Sequence, residues 1–200
     1  MPLKIGHYIK ISIMTNNKTT DGCFRTLTGL KFSLTDPKPE MITIEDIAAG
    51  LAHKGHYSGL TPKYFSIAEH CLLTENLCAC INDIEDYELR LIALLHDASE
   101  AYIGDIIRPL KDLVPEFRNI ENKIHEAIFK KFDLPIERLS EIKDLDNQSQ
   151  YIEACVFYEG VLNPIIRYLT PYQAREEFTA RLIHLSSKLN EERESKFDAL

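Results

Sequence analysis

LLHDASEAYIGDIIRPLK, residues 94–111, places a His-Asp pair at the end of the apolar run Leu91, Ile92, Ala93, Leu94 and Leu95, and follows it with Glu100, Tyr102 and Gly104-Asp105. The run reads as a buried helix that Asp86 caps and that continues through His96 to about residue 103, where Gly104 breaks it. In a continuous helix, residues three and four apart share a face, so Glu100 approaches both His96 and Asp97. An imidazole nitrogen and a carboxylate oxygen can ligate one divalent cation, and a carboxylate beside them can hold or deprotonate its water. An isolated His-Asp pair is usually a surface pair, a cap or a satisfied core group. Here it follows five apolar residues, where buried unpaired carboxylates are costly, so the cluster calls for a compensating cation.

Working upstream, Ser66-Ile67-Ala68-Glu69 forms a capping box for a helix that carries His70 and whose apolar face is Leu72, Leu73, Leu77 and Ile81. Residues 53–63, with Gly55, Gly59 and Pro62, read as a loop, and Thr43 caps a short helix over 44–52. Before it, FRTLTGLKFSLTDPKPE alternates around Thr28-Gly29 as a small hairpin. Downstream, Pro109 and Pro115 punctuate a turn-rich link, and a helix spans 117–132. A long helix then runs from 136 or 140 to 157; it carries Asp144 and Asp146, between which spacing alone does not choose. A last amphipathic helix covers 172–189, residues 191–200 are expected to fray, and residues 1–22 to be peripheral. The pattern predicts an all-α fold, a compact helical bundle with a short N-terminal hairpin, as one domain over 23–190.

The 200 residues suffice for one domain with a sizeable core. A net charge of −8, from 31 acidic and 23 basic side chains, argues against a broad nucleic-acid or anionic-membrane footprint, so no stable partner of either kind is expected. A small phosphorylated substrate remains compatible, because a few local cations and a metal can bind one phosphate. Five cysteines at irregular spacing fit neither a disulfide scaffold nor a thiolate zinc site, and point to a reducing compartment such as the cytoplasm. The weakly apolar start is broken by His7 and Lys10 and lacks a small-residue cleavage site, so no secretory signal is expected.

These residues resemble the HD-domain phosphohydrolase superfamily, in particular its small deoxynucleotidase and nucleotide-phosphohydrolase members, over most of 24–158. The family pattern H…HD…D falls on His70, His96-Asp97 and Asp146, which the resemblance implies as ligands of one divalent ion: Mn²⁺, Co²⁺, Ni²⁺, Fe²⁺, Zn²⁺ or Mg²⁺. Asp144 is the register rival of Asp146. The resemblance further implies Glu100 as the residue that positions or activates water. It gives Asp105 as a recogniser of a sugar hydroxyl or an assistant to Glu100, and Lys111 as a phosphate contact. AHKGHYSGLTPKYFSIAEH, residues 52–70, is similar to a microbial and phage branch with a Gly-His pair, which puts His56 at the phosphate or base pocket and lets Lys63 supply charge. Arg25 and Arg108 are candidate phosphate clamps, and Tyr102 a candidate to stack on a base. His125 lacks neighbouring histidines and reads as structural or exposed.

The implied activity is metal-dependent hydrolysis of a deoxynucleotide, releasing phosphate from a monophosphate or triphosphate from a dNTP, with dATP among the candidates. The chain lacks tryptophan, and with it the Arg-Trp pair of well-known monophosphatases of this family. A non-catalytic metal- or nucleotide-binding sensor would need the same ligands but not Glu100. The resemblance also implies assembly as a homodimer or larger oligomer, in the cytoplasm or, for a phage protein, in that of the host.

Overall fold

The computed structural model describes residues 22–82 and 84–198. All but the last residue of the segment expected to be peripheral lies outside them. Strand β1 (Cys23–Arg25) pairs antiparallel with β2 (Lys31–Ser33), Phe24 opposite Phe32. The hairpin turn is fastened to the first helix, α1 (Ile44–His53), through a single side chain. Thr43 Oγ accepts the Asp46 N–H at 3.1 Å as an N-cap, and the Asp46 carboxylate accepts the Thr28 N–H at 2.9 Å and the Thr28 hydroxyl at 2.7 Å.

Helix α2 (Ile67–Ile81) is the central element, with Ile67, Ala68, Cys71, Leu72 and Leu73 all buried. Ser66 Oγ caps it by accepting the Glu69 N–H at 3.1 Å, but Glu69 does not reach back to complete the expected capping box. Its buried carboxylate instead accepts the backbone N–H groups of Arg167, Tyr168 and Leu169 at 2.7, 2.9 and 2.8 Å. Three donors in one place satisfy a buried carboxylate better than a single cap bond.

Helix α3 (Tyr87–Leu95) begins at the Asp86 cap as expected, but it does not continue through the His-Asp pair. The Ala93 carbonyl, which a continuing α-helix would offer to the Asp97 N–H, is within 2.8 Å of His96 Nδ1. From there the chain tightens into turns in which Ala98, Glu100 and Ala101 bond to carbonyls three residues back. The short α4 (Glu100–Ile103) follows and ends at Gly104, whose φ of 82° and ψ of 162° is a conformation open to glycine almost alone. In such a tightened turn residues i and i+3 eclipse, which keeps Asp97 and Glu100 on one side even without an α-helix.

The link between the two prolines contains a helix, α5 (Arg108–Leu113), with Pro109 in the first turn, where its missing N–H costs nothing. Then come α6 (Pro115–Lys131), a 3₁₀ stretch over Ile136–Ile142, and α7 (Lys143–Tyr158). The last helix, α8 (Pro171–Asp198), lies along α1 and α3, while α2 packs on α3 and α7. Buried Ala174, Phe178, Leu182, Leu185 and Leu189 form its inner stripe. A buried side chain such as Phe178 contributes about 1.5–3 kcal/mol of transfer free energy. The residues expected to fray from 191 are helical to Asp198, held by Lys188–Glu191 and Glu192–Lys196 pairs and by Arg193, which reaches Asp133 and Glu88. Among the described residues no helix is long and apolar enough to cross a membrane.

Candidate metal centre and cleft

Three elements aim four side chains at one point. α2 supplies His70, the turn after α3 supplies His96 and Asp97, and α7 supplies Asp146. His70 Nε2 lies 3.2 Å from His96 Nε2, 3.1 Å from Asp146 Oδ1 and 3.6 Å from Asp97 Oδ2. His96 Nε2 lies 3.3 Å from Asp97 Oδ2 and 3.7 Å from Asp146 Oδ1. Asp144, two residues earlier on α7, is exposed and takes no part in these contacts.

The donor set fits a divalent cation. Ligand atoms held roughly 2.0–2.2 Å from one ion sit about 3–3.5 Å from one another, close to the spacings between these four groups. Each imidazole already engages its Nδ1, His70 with Glu153 Oε1 at 2.7 Å and His96 with the Ala93 carbonyl, which presents both Nε2 atoms to the shared point. Burial disfavours a charged His70 and a charged His96. The carboxylates of Glu153, Asp146 and Asp97 outweigh it and hold both imidazoles well above the usual histidine range. Burial likewise opposes ionisation of Asp97 and Asp146, and the two histidines reverse it, so both stay far below the usual carboxylate range. Two carboxylates that attract protons onto neighbouring imidazoles this strongly can attract a divalent ion in their place.

Glu153 escaped the sequence reading. It is fully buried on α7, seven residues after Asp146 and on the same helix face; besides His70 it accepts the Tyr57 hydroxyl at 2.5 Å. The i, i+7 spacing from Asp146 was the available signal. Tyr57 and Ser58 both adopt positive φ, 55° and 54°, in the loop that carries them over the cleft. That loop is tied down by the Ser58 N–H and hydroxyl, which donate to Asp105 Oδ2 at 3.1 Å and to the Asp105 carbonyl at 3.0 Å. His56 is buried there, its ring stacked on His70 at 4.2 Å and its Nδ1 3.3 Å from Asp105 Oδ2.

Beside these four side chains opens a cleft of about 410 Å³, lined among others by His56, Glu100, Asp105, Arg108 and Lys111. Glu100 is buried and its Oε2 has no hydrogen-bond partner. Burial, with the charges of Asp97 and Asp105, pushes its carboxyl up to about 9. Burial opposes ionisation of Asp105 too, but His56 and the Ser58 N–H keep it below the usual range. Lys111 Nζ lies 2.6 Å from Glu121 Oε1 and 3.4 Å from Glu100 Oε1; burial would lower its pKa, and these acids raise it instead. Arg118 and Glu121 also line the cleft, and the sequence reading passed over both.

Three expected substrate contacts lie elsewhere. Lys63 is exposed and sits over the Tyr168 ring, 4.9 Å from its centroid, because its loop turns away toward the segment before α8. Tyr102 stacks on Phe32 at 4.0 Å, since the tightened turn that faces Glu100 to the cleft sends Tyr102 to the opposite side of α4. Arg25 stays with the hairpin that Asp46 anchors on α1, and lines the same separate cavity as Tyr102. His125 is half-buried; burial, ahead of its interactions with Asp97 and Glu121, lowers its pKa.

The HD domain family matches residues 67–155, a span that contains all four convergent side chains, Glu100 and Glu153. An uncharacterized protein of Rhodobacter capsulatus is 36% identical over 182 residues, covering 78% of this chain and 92% of that protein. The uncharacterized protein YfdR of Escherichia coli is 33% identical over 122 residues, covering 61% of this chain and 65% of its own length. With its His and His-Asp positions on α2 and after α3, an aspartate on α7, and a near full-length relative, the chain belongs to the HD-domain superfamily of metal-dependent phosphohydrolases.

Proposed function

We propose that the protein hydrolyses deoxynucleotides, releasing phosphate from a dNMP or triphosphate from a dNTP. The observation that carries a catalytic reading is Glu100: a buried carboxyl with an oxygen free of partners, in the cleft beside a complete ligand set. A domain that only held a metal would have no use for it.

His70, His96, Asp97 and Asp146 would hold the divalent ion, which when bound polarises a phosphate oxygen and lowers the pKa of water. Glu153 fixes the His70 ring, and Tyr57 in turn fixes Glu153. Glu100 orients the attacking water and takes its proton. Raised to about 9, it is protonated at neutral pH; a bound cation that offset the charges of Asp97 and Asp105 would lower that value and free the carboxylate to take the proton. Lys111, Arg108 and Arg118 offset phosphate charge along the cleft, and His56 closes the wall opposite. Asp105, anchored by Ser58, offers acceptors suited to a sugar hydroxyl. The deoxynucleotide assignment itself rests on the family resemblance, together with the three cations Arg108, Lys111 and Arg118 in a lining that also carries the acidic cluster.

The test is a chromatographic product assay of purified protein with Mn²⁺ or Co²⁺, against panels of dNMPs and dNTPs, with a chelated control. Nucleoside plus phosphate from dNMPs selects the monophosphatase, and nucleoside plus intact triphosphate selects the triphosphohydrolase. Absence of metal-dependent product from both panels would remove the deoxynucleotide assignment.

A further inference from the structure

A second cavity, about 490 Å³ in volume, lies on the other side of α4 and shares no lining residue with the metal cleft. Its walls are the hairpin, α1, α4 and the start of α8. At its base the α1 and α4 backbones touch: a Cβ on Gly50 would meet the Ala101 carbonyl oxygen at 2.6 Å, so only glycine permits this approach.

The lining is unlike the rest of an acidic protein. Arg25, His53 and Arg175 converge on it, and among the described residues none of the three makes an ion pair. Among the described residues Arg25 donates to the Gly29 carbonyl at 3.0 Å, and His53 Nδ1 lies 2.9 Å from the Ala49 carbonyl. The one carboxylate in the lining, Asp46, is committed to Thr28, which holds it in the ionised form against its burial. Among the described residues, two arginines therefore face this cavity against the single charge of Asp46. Phe24 supplies an exposed ring next to Arg25, backed by Phe32 and Tyr102. The Tyr102 hydroxyl is buried there against the Thr43 backbone. Paired arginines suit the bidentate recognition of phosphate, and an aromatic wall suits a flat ring. The volume falls within the range of small-molecule sites, roughly 300–1,000 Å³.

We propose that this cavity is a second binding site for a phosphorylated aromatic small molecule of nucleoside-monophosphate size. Its phosphate sits between Arg25 and Arg175 and its ring lies against Phe24.

The test uses the full chain with its metal chelated, so that no hydrolysis intervenes; Lys111→Ala reports any binding at the metal cleft, where the proposed function also places a nucleotide phosphate. Binding of adenosine 5′-monophosphate and of inorganic phosphate is measured by calorimetry on the wild type, Arg175→Glu and Lys111→Ala. The expected result is that the nucleotide binds the wild type more tightly than phosphate does. Arg175→Glu weakens it about tenfold or more, the scale of one lost charge-assisted contact, and Lys111→Ala leaves it unchanged. No binding to the chelated wild type, or equal or greater weakening by Lys111→Ala, overturns the proposal. So does unchanged affinity in Arg175→Glu, or phosphate binding as tightly as the nucleotide. If Arg175→Glu fails to fold by circular dichroism, the neutral pair Arg25→Gln and Arg175→Gln takes its place, with the same loss expected.

Discussion

Glu75 on α2 and Glu100 on α4 are both carboxylates almost removed from water, and the fold treats them in opposite ways. Glu75 is clamped between two arginines: Arg90 places Nε 2.8 Å and a terminal nitrogen 2.7 Å from Oε1, and Arg181 pairs with Oε2. Glu100 has one cation at 3.4 Å, shared with Glu121, and two carboxylates pressing on it, and among the described residues no cation pairs with its second oxygen. A buried acid whose charge is answered locally is a structural strut. One left unanswered stores a protonation state that can change when charge arrives, and the difference between the two separates scaffold from chemistry.

The sharpest way to break this contrast is Glu100→Gln. Turnover is expected to fall about 10²–10⁴-fold while bound metal per protein stays constant, checked by initial rates alongside elemental analysis. Unchanged turnover would strip Glu100 of its role. Glu75→Gln should do the reverse. It leaves two arginines facing a neutral amide and costs about 3–5 kcal/mol in urea unfolding, with normal turnover per folded molecule. An activity loss without a stability loss there would erase the distinction. Glu153→Gln is intermediate between strut and chemistry: metal affinity should drop about 10–100-fold by competition with a chelator, with little change in saturated turnover.

The smallest effect, read per pH unit, lies in the titration of Glu100. The folded-state pKa of Glu100, about 9 against an ordinary 4.5, means that the folded protein holds a proton the unfolded chain releases. Its contribution to stability is complete below about pH 4.5 and is lost as pH rises toward 9, at most about 1.4 kcal/mol per pH unit. In chelated protein, wild-type stability should decline more steeply than that of Glu100→Gln across this window. The raised histidines contribute in the same direction, but they are present in both proteins and cancel in the difference. Parallel curves would place Glu100 among ordinary acids.

The sequence carried the helices whose caps and stripes are local. Ser66 and Asp86 begin α2 and α3 where their side chains accept the expected N–H groups. It did not carry the end of α3, because an α-helix and a chain of tightened turns present the same residues at nearly the same offsets. What distinguishes them is the bond between the His96 ring and the Ala93 carbonyl. Asp146 faces the histidines and Asp144 does not, a choice fixed by how α7 is rotated against α2. Arg25 and Tyr102 were drawn toward the cleft by residue type, and Lys63 by the likeness of its segment to a family branch. Their positions depend on the Thr28–Asp46 anchor, on the Tyr168 ring and on the sharp turn at α4, none of which has a local signature.

The three N–H groups that Glu69 gathers belong to residues 98 to 100 positions later in the chain. During synthesis, α2 is complete long before those donors exist, and until they emerge its first turn carries a carboxylate that cannot be buried without loss. The centre of the bundle therefore cannot close on the matched segment 67–155 alone. The stretch after α7 acts as the latch that lets the earlier helices settle, and a nascent chain halted before residue 169 should remain open around α2 however well its helices have formed.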